Sequence, residues 1–173
     1  CMLYNNPVAY KVDFTPVQVK ELLDEHPNLH AIKESSADIR RLAALREIIA
    51  EDRLHLLVGV DDLIVEGVAM GAVGWIAGLV NAFPRESVEL FKLAQSGECR
   101  KTFELYRWFL PLLRMDTVPK FVQLIKFVQE QVGMGSARVR APRLELSADE
   151  QNETIAIVNK ALATKPEIAA SFG

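Results

Sequence analysis

The chain has 173 residues, of which 50% are apolar and 25% charged, a balance that buries a core and excludes intrinsic disorder. Twenty Lys and Arg against 23 Asp and Glu leave a formal net charge of -3, without long like-charge blocks. That argues against nucleic acid and membrane surfaces as partners and for a small molecule. The longest apolar runs, such as residues 72–80 and 109–113, fall far short of the roughly 20 residues needed to cross a bilayer. A soluble, cytoplasmic protein is expected.

In chain order, Met2-Leu3-Tyr4 reads as a short strand ended by Asn5-Asn6-Pro7, because proline removes a donor and biases the residue before it away from helix. Thr15-Pro16 offers a hydroxyl cap and a proline at the first helical position, and Val19, Leu22 and Leu23 supply the apolar stripe of a helix up to His26-Pro27. Residues 29–33 form the second strand candidate. Ser35, Ser36 and Asp38 then cap a helix carrying Ile39, Leu42, Leu45, Ile48 and Ile49 at helical spacing. Residues 54–60 make a third strand, Asp61-Asp62 opens a helix to Met70, and residues 73–77 make a fourth strand followed by a helix over 84–95.

Near-continuous apolar strands alternating with amphipathic helices are the pattern of a parallel sheet. Beyond residue 98 the alternation stops. Residues 99–115, 119–132 and 147–163 all read as helix, with Gly133, Gly135 and Pro142 in the break. Phe103, Leu105, Trp108, Phe109, Leu112 and Leu113, with Phe121, Leu124, Ile125 and Val128, give two broad apolar faces suited to packing and, in part, to a subunit interface.

Four βα units leave two open sheet edges with no protecting charges or bulges. An eight-stranded parallel barrel typically takes about 250 residues, so the expected fold is α/β: residues 1–98 as the C-terminal half of a (β/α)8 TIM barrel, and 99–173 as a helical extension. The rival, an open doubly wound sheet, lacks its usual G-x-G-x-x-G turn here. The opening Cys1, followed at once by a strand pattern, fits a sequence that begins inside a longer protein.

Lys33 ends an apolar strand, and parallel barrels keep their active sites at the C-terminal ends of their strands. Desolvation disfavours an ammonium and frees the lone pair for attack on a carbonyl carbon; a strand-end lysine also reaches water along its stem. Tyr4 holds the corresponding place on the first strand, suited either to shuttling protons or to packing with its hydroxyl tied to backbone. Asp61-Asp62 reads as a helix cap and dipole partner rather than a cation site. His26, His30 and His55 lack ligand spacing, and Cys1 and Cys99 form neither a metal nor a redox pair, so no metal is expected. No G-x-S-x-G, Walker or H-E-x-x-H motif occurs.

Tyr4-Asn5-Asn6-Pro7 and Ala31-Ile32-Lys33-Glu34-Ser35-Ser36, one βα unit apart, together resemble the dihydrodipicolinate synthase and N-acetylneuraminate lyase superfamily. Gly59-Val60-Asp61-Asp62 and Gly74-Trp75-Ile76-Ala77-Gly78 resemble the ends of that family's seventh and eighth strands, and the resemblance runs from Cys1 to about residue 140. It implies a barrel followed by three helices, with Lys33 forming an imine to a 2-oxo acid and Tyr4 relaying protons. The lysine imine takes the place of any bound cofactor. The backbone at Val60 and the side chain of Ile76 match positions lining the substrate pocket, and Val60 stands where the synthases usually have glycine. The resemblance also implies a homo-oligomer, dimer or tetramer.

Two departures bear on the reaction. Ala9 stands where the synthases carry a carboxylate-gripping arginine, and the family's first four strands lie upstream of Cys1, so the chain alone is expected to be inactive. Residues 4–10, Tyr-Asn-Asn-Pro-Val-Ala-Tyr, most resemble members that deaminate 1-pyrroline-4-hydroxy-2-carboxylate in hydroxyproline breakdown. That deaminase is the expected activity, with a 4-hydroxy-tetrahydrodipicolinate synthase or another pyruvate-type aldolase or dehydratase as the alternative. A binding module that keeps the pocket without turnover is the non-enzymatic alternative.

Overall fold

A computed structural model of the protein describes residues 1–167; positions 168–173 of the expected extension lie outside the described residues. Two compact units divide between Ala77 and Gly78. In the first, strands β1 (Met2–Asn5), β2 (Ala31–Glu34), β3 (His55–Val58) and β4 (Gly74–Trp75) form one sheet in the order β1-β2-β3-β4, and every pairing is parallel. A doubly wound sheet reverses its strand order at a switch point. This sheet does not reverse, and it is the sequential parallel arrangement of a partial (β/α) barrel.

Helices α1 (Pro7–Tyr10), α2 (Pro16–Glu25), α3 (Arg40–Ile48) and α4 (Ile64–Ala69) connect the strands. Thr15 and Gln18 form the reciprocal capping box that starts α2, with Pro16 in its first turn. One face of the sheet is dry: Ile32, Leu56 and Val58 are buried, with Val19 and Leu23 of α2, Leu42 and Leu45 of α3, and Ile64 of α4. Full burial of such side chains contributes about 1.5–3 kcal/mol each. Strand alternation turns Tyr4, Lys33 and Leu57, which share a register row, toward the opposite face.

The sequence reading made the last two strands too long. Strand β3 ends at Val58, and residues 61–63 coil into a 3-10 turn; β4 has only two residues, although the Ile76 N–H still bonds the Val58 carbonyl at 2.9 Å. Asp61 and Asp62 sit in the first turn of that 3-10 segment, where acidic groups suit the helix dipole, but its N-cap is Val60 and no side chain caps it. The segment after β1, read as loop, contains the one-turn helix α1, whose N-cap Asn6 accepts the Ala9 N–H.

The second unit holds α5 (Pro84–Ser96), α6 (Cys99–Leu113), α7 (Phe121–Gln131) and α8 (Ala148–Ala163). Helix α5, read with the barrel half, lies in this unit and packs against α6. Gly97 ends α5 in the left-handed region at φ 73°, and Ser147 with Glu150 forms the capping box of α8. Leu105, Phe109, Leu112 and Leu113 of α6 and Ile125 and Val128 of α7 are buried. The Trp108 Nε1–H donates to the Ala161 carbonyl at 2.9 Å, tying α6 to α8. Phe103 and Phe121 remain exposed. No helix among the described residues is long and apolar enough to cross a membrane.

Candidate active site

The parallel register sets Tyr4 of β1 directly beside Lys33 of β2. The Lys33 ammonium lies over the Tyr4 ring, 4.4 Å from its centroid, a cation–π contact worth about 0.5–1 kcal/mol where water still has access. The Tyr10 ring meets the Tyr4 ring edge-on, with centroids 5.8 Å apart. The Tyr4 hydroxyl accepts a hydrogen bond from Asn6 Nδ2 at 2.9 Å.

Lys33 is half-buried and Tyr4 is 41% exposed. The four strands wall this face from one side, and the lysine stem runs along it with its amine over the Tyr4 ring. What holds the lysine is steric. A Cβ on Gly59 would stand 2.7 Å from Lys33 Cε, 2.9 Å from Lys33 Cγ and 1.9 Å from Ser35 Oγ. The absence of a side chain at 59 thus lets the lysine stem lie close across the end of β3. Ser35 is buried and its hydroxyl has no hydrogen-bond partner, an acceptor and donor beside the same stem.

Behind this row lies a buried polar knot that sequence reasoning missed. Asn5 and Glu34 occupy paired register positions and are both buried. Asn5 Nδ2 donates to Glu34 Oε2 at 3.0 Å and to Asp13 Oδ1 at 3.2 Å, while Asn5 Oδ1 accepts the Phe14 N–H at 3.1 Å. Glu34 Oε1 accepts the Ser36 N–H at 2.6 Å. Arg41 donates from both terminal nitrogens to Asp13, at 2.7 and 2.5 Å. That guanidinium hydrogen bond, above all, holds the Asp13 carboxyl below its ordinary range, against a smaller opposing effect of burial. Asp13 in turn pushes Arg41 upward. The available signal was a carboxylate inside an apolar strand, since a buried charge needs partners.

Val60 and Ile76 both follow strand ends, on the same rim as Lys33. Val60 lines a narrow crevice with Glu34, Leu42, Val58 and Leu63 that does not include Lys33 or Tyr4, and Ile76 is 36% exposed. The geometry brings Tyr4 and Lys33 into contact. His26, His30 and His55 are all exposed, and no group of three or more His, Cys, Asp or Glu side chains converges among the described residues.

Residues 1–161 match the dihydrodipicolinate synthetase family. Over 146 residues, 84% of this chain and 50% of the relative, the sequence is 28% identical to a 4-hydroxy-tetrahydrodipicolinate synthase from Methanococcus vannielii. Over 150 residues, 87% of this chain and 51% of the relative, it is 27% identical to the enzyme of that name from Methanocaldococcus jannaschii. The structure of dihydrodipicolinate synthase from Aquifex aeolicus superposes with a TM-score of 0.85 at 26% identity, over 92% of this chain and 54% of that one. A prophage protein of the dihydrodipicolinic acid synthase family from E. coli K12, solved in complex with pyruvate, superposes with a TM-score of 0.84 at 26% identity, over 93% of this chain and 55% of that one. The chain thus spans about half the length of the curated relatives it matches. On the family match and the sequential parallel sheet that carries Tyr4 and Lys33, the chain belongs to the dihydrodipicolinate synthetase family.

Proposed function

We propose that this chain supplies the imine-forming lysine of a lyase acting on a 2-oxo acid. The observation that carries the reading is the contact of Lys33 Nζ with the Tyr4 ring at 4.4 Å, made by paired positions of adjacent parallel strands. Once it has given up a proton, Nζ attacks the C2 carbonyl carbon with its lone pair; as the C–O π bond opens the oxygen takes a proton and the nitrogen loses one. A second proton lets that oxygen leave as water while C=N forms. Tyr4 is the shuttle for these protons. The imine then accepts the electron pair released when a proton or carbon leaves C3, giving an enamine. The unpartnered Ser35 hydroxyl supports a polar substrate atom beside the lysine stem. The Val60 backbone and the Ile76 side chain are the proposed pocket lining, the lysine imine serves in place of a cofactor, no metal takes part, and the working protein is a homo-oligomer.

The names of the similar curated enzymes support the 4-hydroxy-tetrahydrodipicolinate synthase reading. Ala9 favours the second reading. It is exposed on α1 and offers no charge to a carboxylate, and the nearby Lys11 ammonium is engaged by the Val8 carbonyl at 2.8 Å. In 1-pyrroline-4-hydroxy-2-carboxylate, Lys33 adds to the C2 imine carbon, and the substrate plus one water gives 2-oxoglutarate semialdehyde plus ammonia. Borohydride reduction of the intact protein with pyruvate tests the shared step. Lys33 is expected to gain the mass of pyruvate less one oxygen, and Lys33→Ala to gain nothing; no adduct on the wild type overturns the reading. Product analysis with the pyrroline, looking for ammonia and 2-oxoglutarate semialdehyde, divides the two readings: their absence beside trapping of pyruvate favours the synthase.

A further inference from the structure

A phenol that hands a proton to a bound substrate must point its O–H at the reacting atom, and the O–H of a phenol lies near the ring plane in one of two opposite orientations. Asn6 selects between them in Tyr4. Asn6 Nδ2 stands 2.9 Å from Tyr4 Oη, and the amide is not free to turn over, because its Oδ1 accepts the Ala9 N–H at 3.0 Å and so caps α1. The atom facing the phenol is therefore the nitrogen, which donates only. With an N–H already directed at its oxygen from that side, Tyr4 must turn its own proton the other way. The ring has Lys33 Nζ over its face and Tyr10 edge-on against it, and the backbone beside it is anchored through Asn5, held by Glu34 and Phe14.

We propose that Asn6 is a positioning residue: by donating to Tyr4 Oη it directs the phenolic proton toward the substrate held at Lys33. The inference rests on the imine reading given above. When Tyr4 gives up its proton the same N–H faces an anionic oxygen, and the hydrogen bond strengthens at the moment of transfer. Asn6 itself neither touches the substrate nor exchanges a proton.

Asn6→Asp separates this role from capping. The carboxylate keeps an oxygen for the Ala9 N–H, but it puts an acceptor where the donor stood and draws the Tyr4 proton to itself. The probe is pyruvate, added to the intact protein with two readouts: borohydride trapping at Lys33, and exchange of the pyruvate methyl protons with D2O followed by NMR. The second requires a proton to leave and return at C3 of the imine. Asn6→Asp is expected still to give the reduced adduct at Lys33 after long incubation, but to form it more slowly and to slow methyl exchange by at least about tenfold, within the range of general acid–base contributions. Asn6→Ser, which keeps a capping hydroxyl too short to reach the phenol, is expected to show the same loss. In a Tyr4→Phe background neither substitution should slow exchange further. Methyl exchange at the wild-type rate in both variants overturns the inference, as does a full additional loss in the Tyr4→Phe background. A wild-type protein that is not trapped at all sinks the imine reading, and this inference with it.

Discussion

Gly59 lies where any side chain would strike the Lys33 stem, with Cε and Cγ both closer than 3 Å to the point a Cβ would fill. The glycine does not occupy the left-handed region, so its importance is one of space and not of backbone conformation. Ser35 Oγ can rotate away from an intruding methyl, but two stem atoms of the lysine must move together, which shifts the amine from its place over Tyr4. Gly59→Ala is therefore expected to slow pyruvate trapping at Lys33 by about tenfold or more, since displacements of this size cost orders of magnitude in positioned reactions, while the melting temperature changes little. A wild-type trapping rate would show that the stem is not held from this side. The matching places of Tyr4 and Lys33 on neighbouring strands were legible in sequence, because each closes a short apolar run before a loop. Gly59 and Asn6 were not legible in these roles. The Gly59 contact depends on which atoms the parallel register sets side by side, and that register is written in no single segment, whereas Asn6 meets Tyr4 and Ala9 within its own segment, through side-chain orientations that residue types alone do not fix.

At the scale of elements, the segment between β1 and α2 is anchored from outside itself. Asn5 takes the Phe14 N–H, and Arg41 of α3 grips both oxygens of Asp13 and the Phe14 carbonyl. A carboxyl held below its ordinary value contributes stability that is present above the unfolded-state value near 3.8, and this contribution is lost as pH falls through the folded one. The Arg41–Asp13 bond should thus weaken in acid, on the low side of about pH 4. Urea unfolding compared between about pH 6 and pH 3 is expected to show a smaller acid loss in Asp13→Asn than in the wild type; equal losses would mean that the pair does not stabilise the fold. Asp13 is partly exposed, so the difference will be modest and screened by salt. The hydroxyl cap announced the start of α2 at Thr15, but the caps expected at Ser35, Ser36 and Asp38 do not form: α3 starts at Arg40 behind Ile39, with no side-chain cap. Strand ends were less readable, because apolar runs such as 54–60 and 73–77 continue past the last ladder residues Val58 and Trp75, beyond which only single bonds from Gly59 and Ile76 persist, and α1 is too short to show a period.

For the whole molecule, the decisive feature is a parallel sheet whose strands run in sequence order. Among the described residues β2 and β3 have neighbours on both sides, whereas β1 and β4 each pair on one side only. The repeated strand–helix alternation made this order readable before any coordinates, since each βα unit lays its strand beside the last one. α5 carries the same amphipathic signal whether it closes a βα unit or packs with the helices that follow, and it packs against α6. The sheet's asymmetry has a measurable consequence. Backbone amides exchange with solvent through local openings whose cost rises with the number of bonded and packed neighbours. Hydrogen exchange on the 173-residue chain is therefore expected to be slowest at Ile32, Lys33, Leu56 and Leu57 and faster at Leu3, Tyr4 and Trp75. Protection at Leu3 and Tyr4 equal to that of β2 would mean that a further strand pairs along the free side of β1, and the four-stranded account of this sheet would have to give way to one in which Tyr4 and Lys33 are walled from both sides.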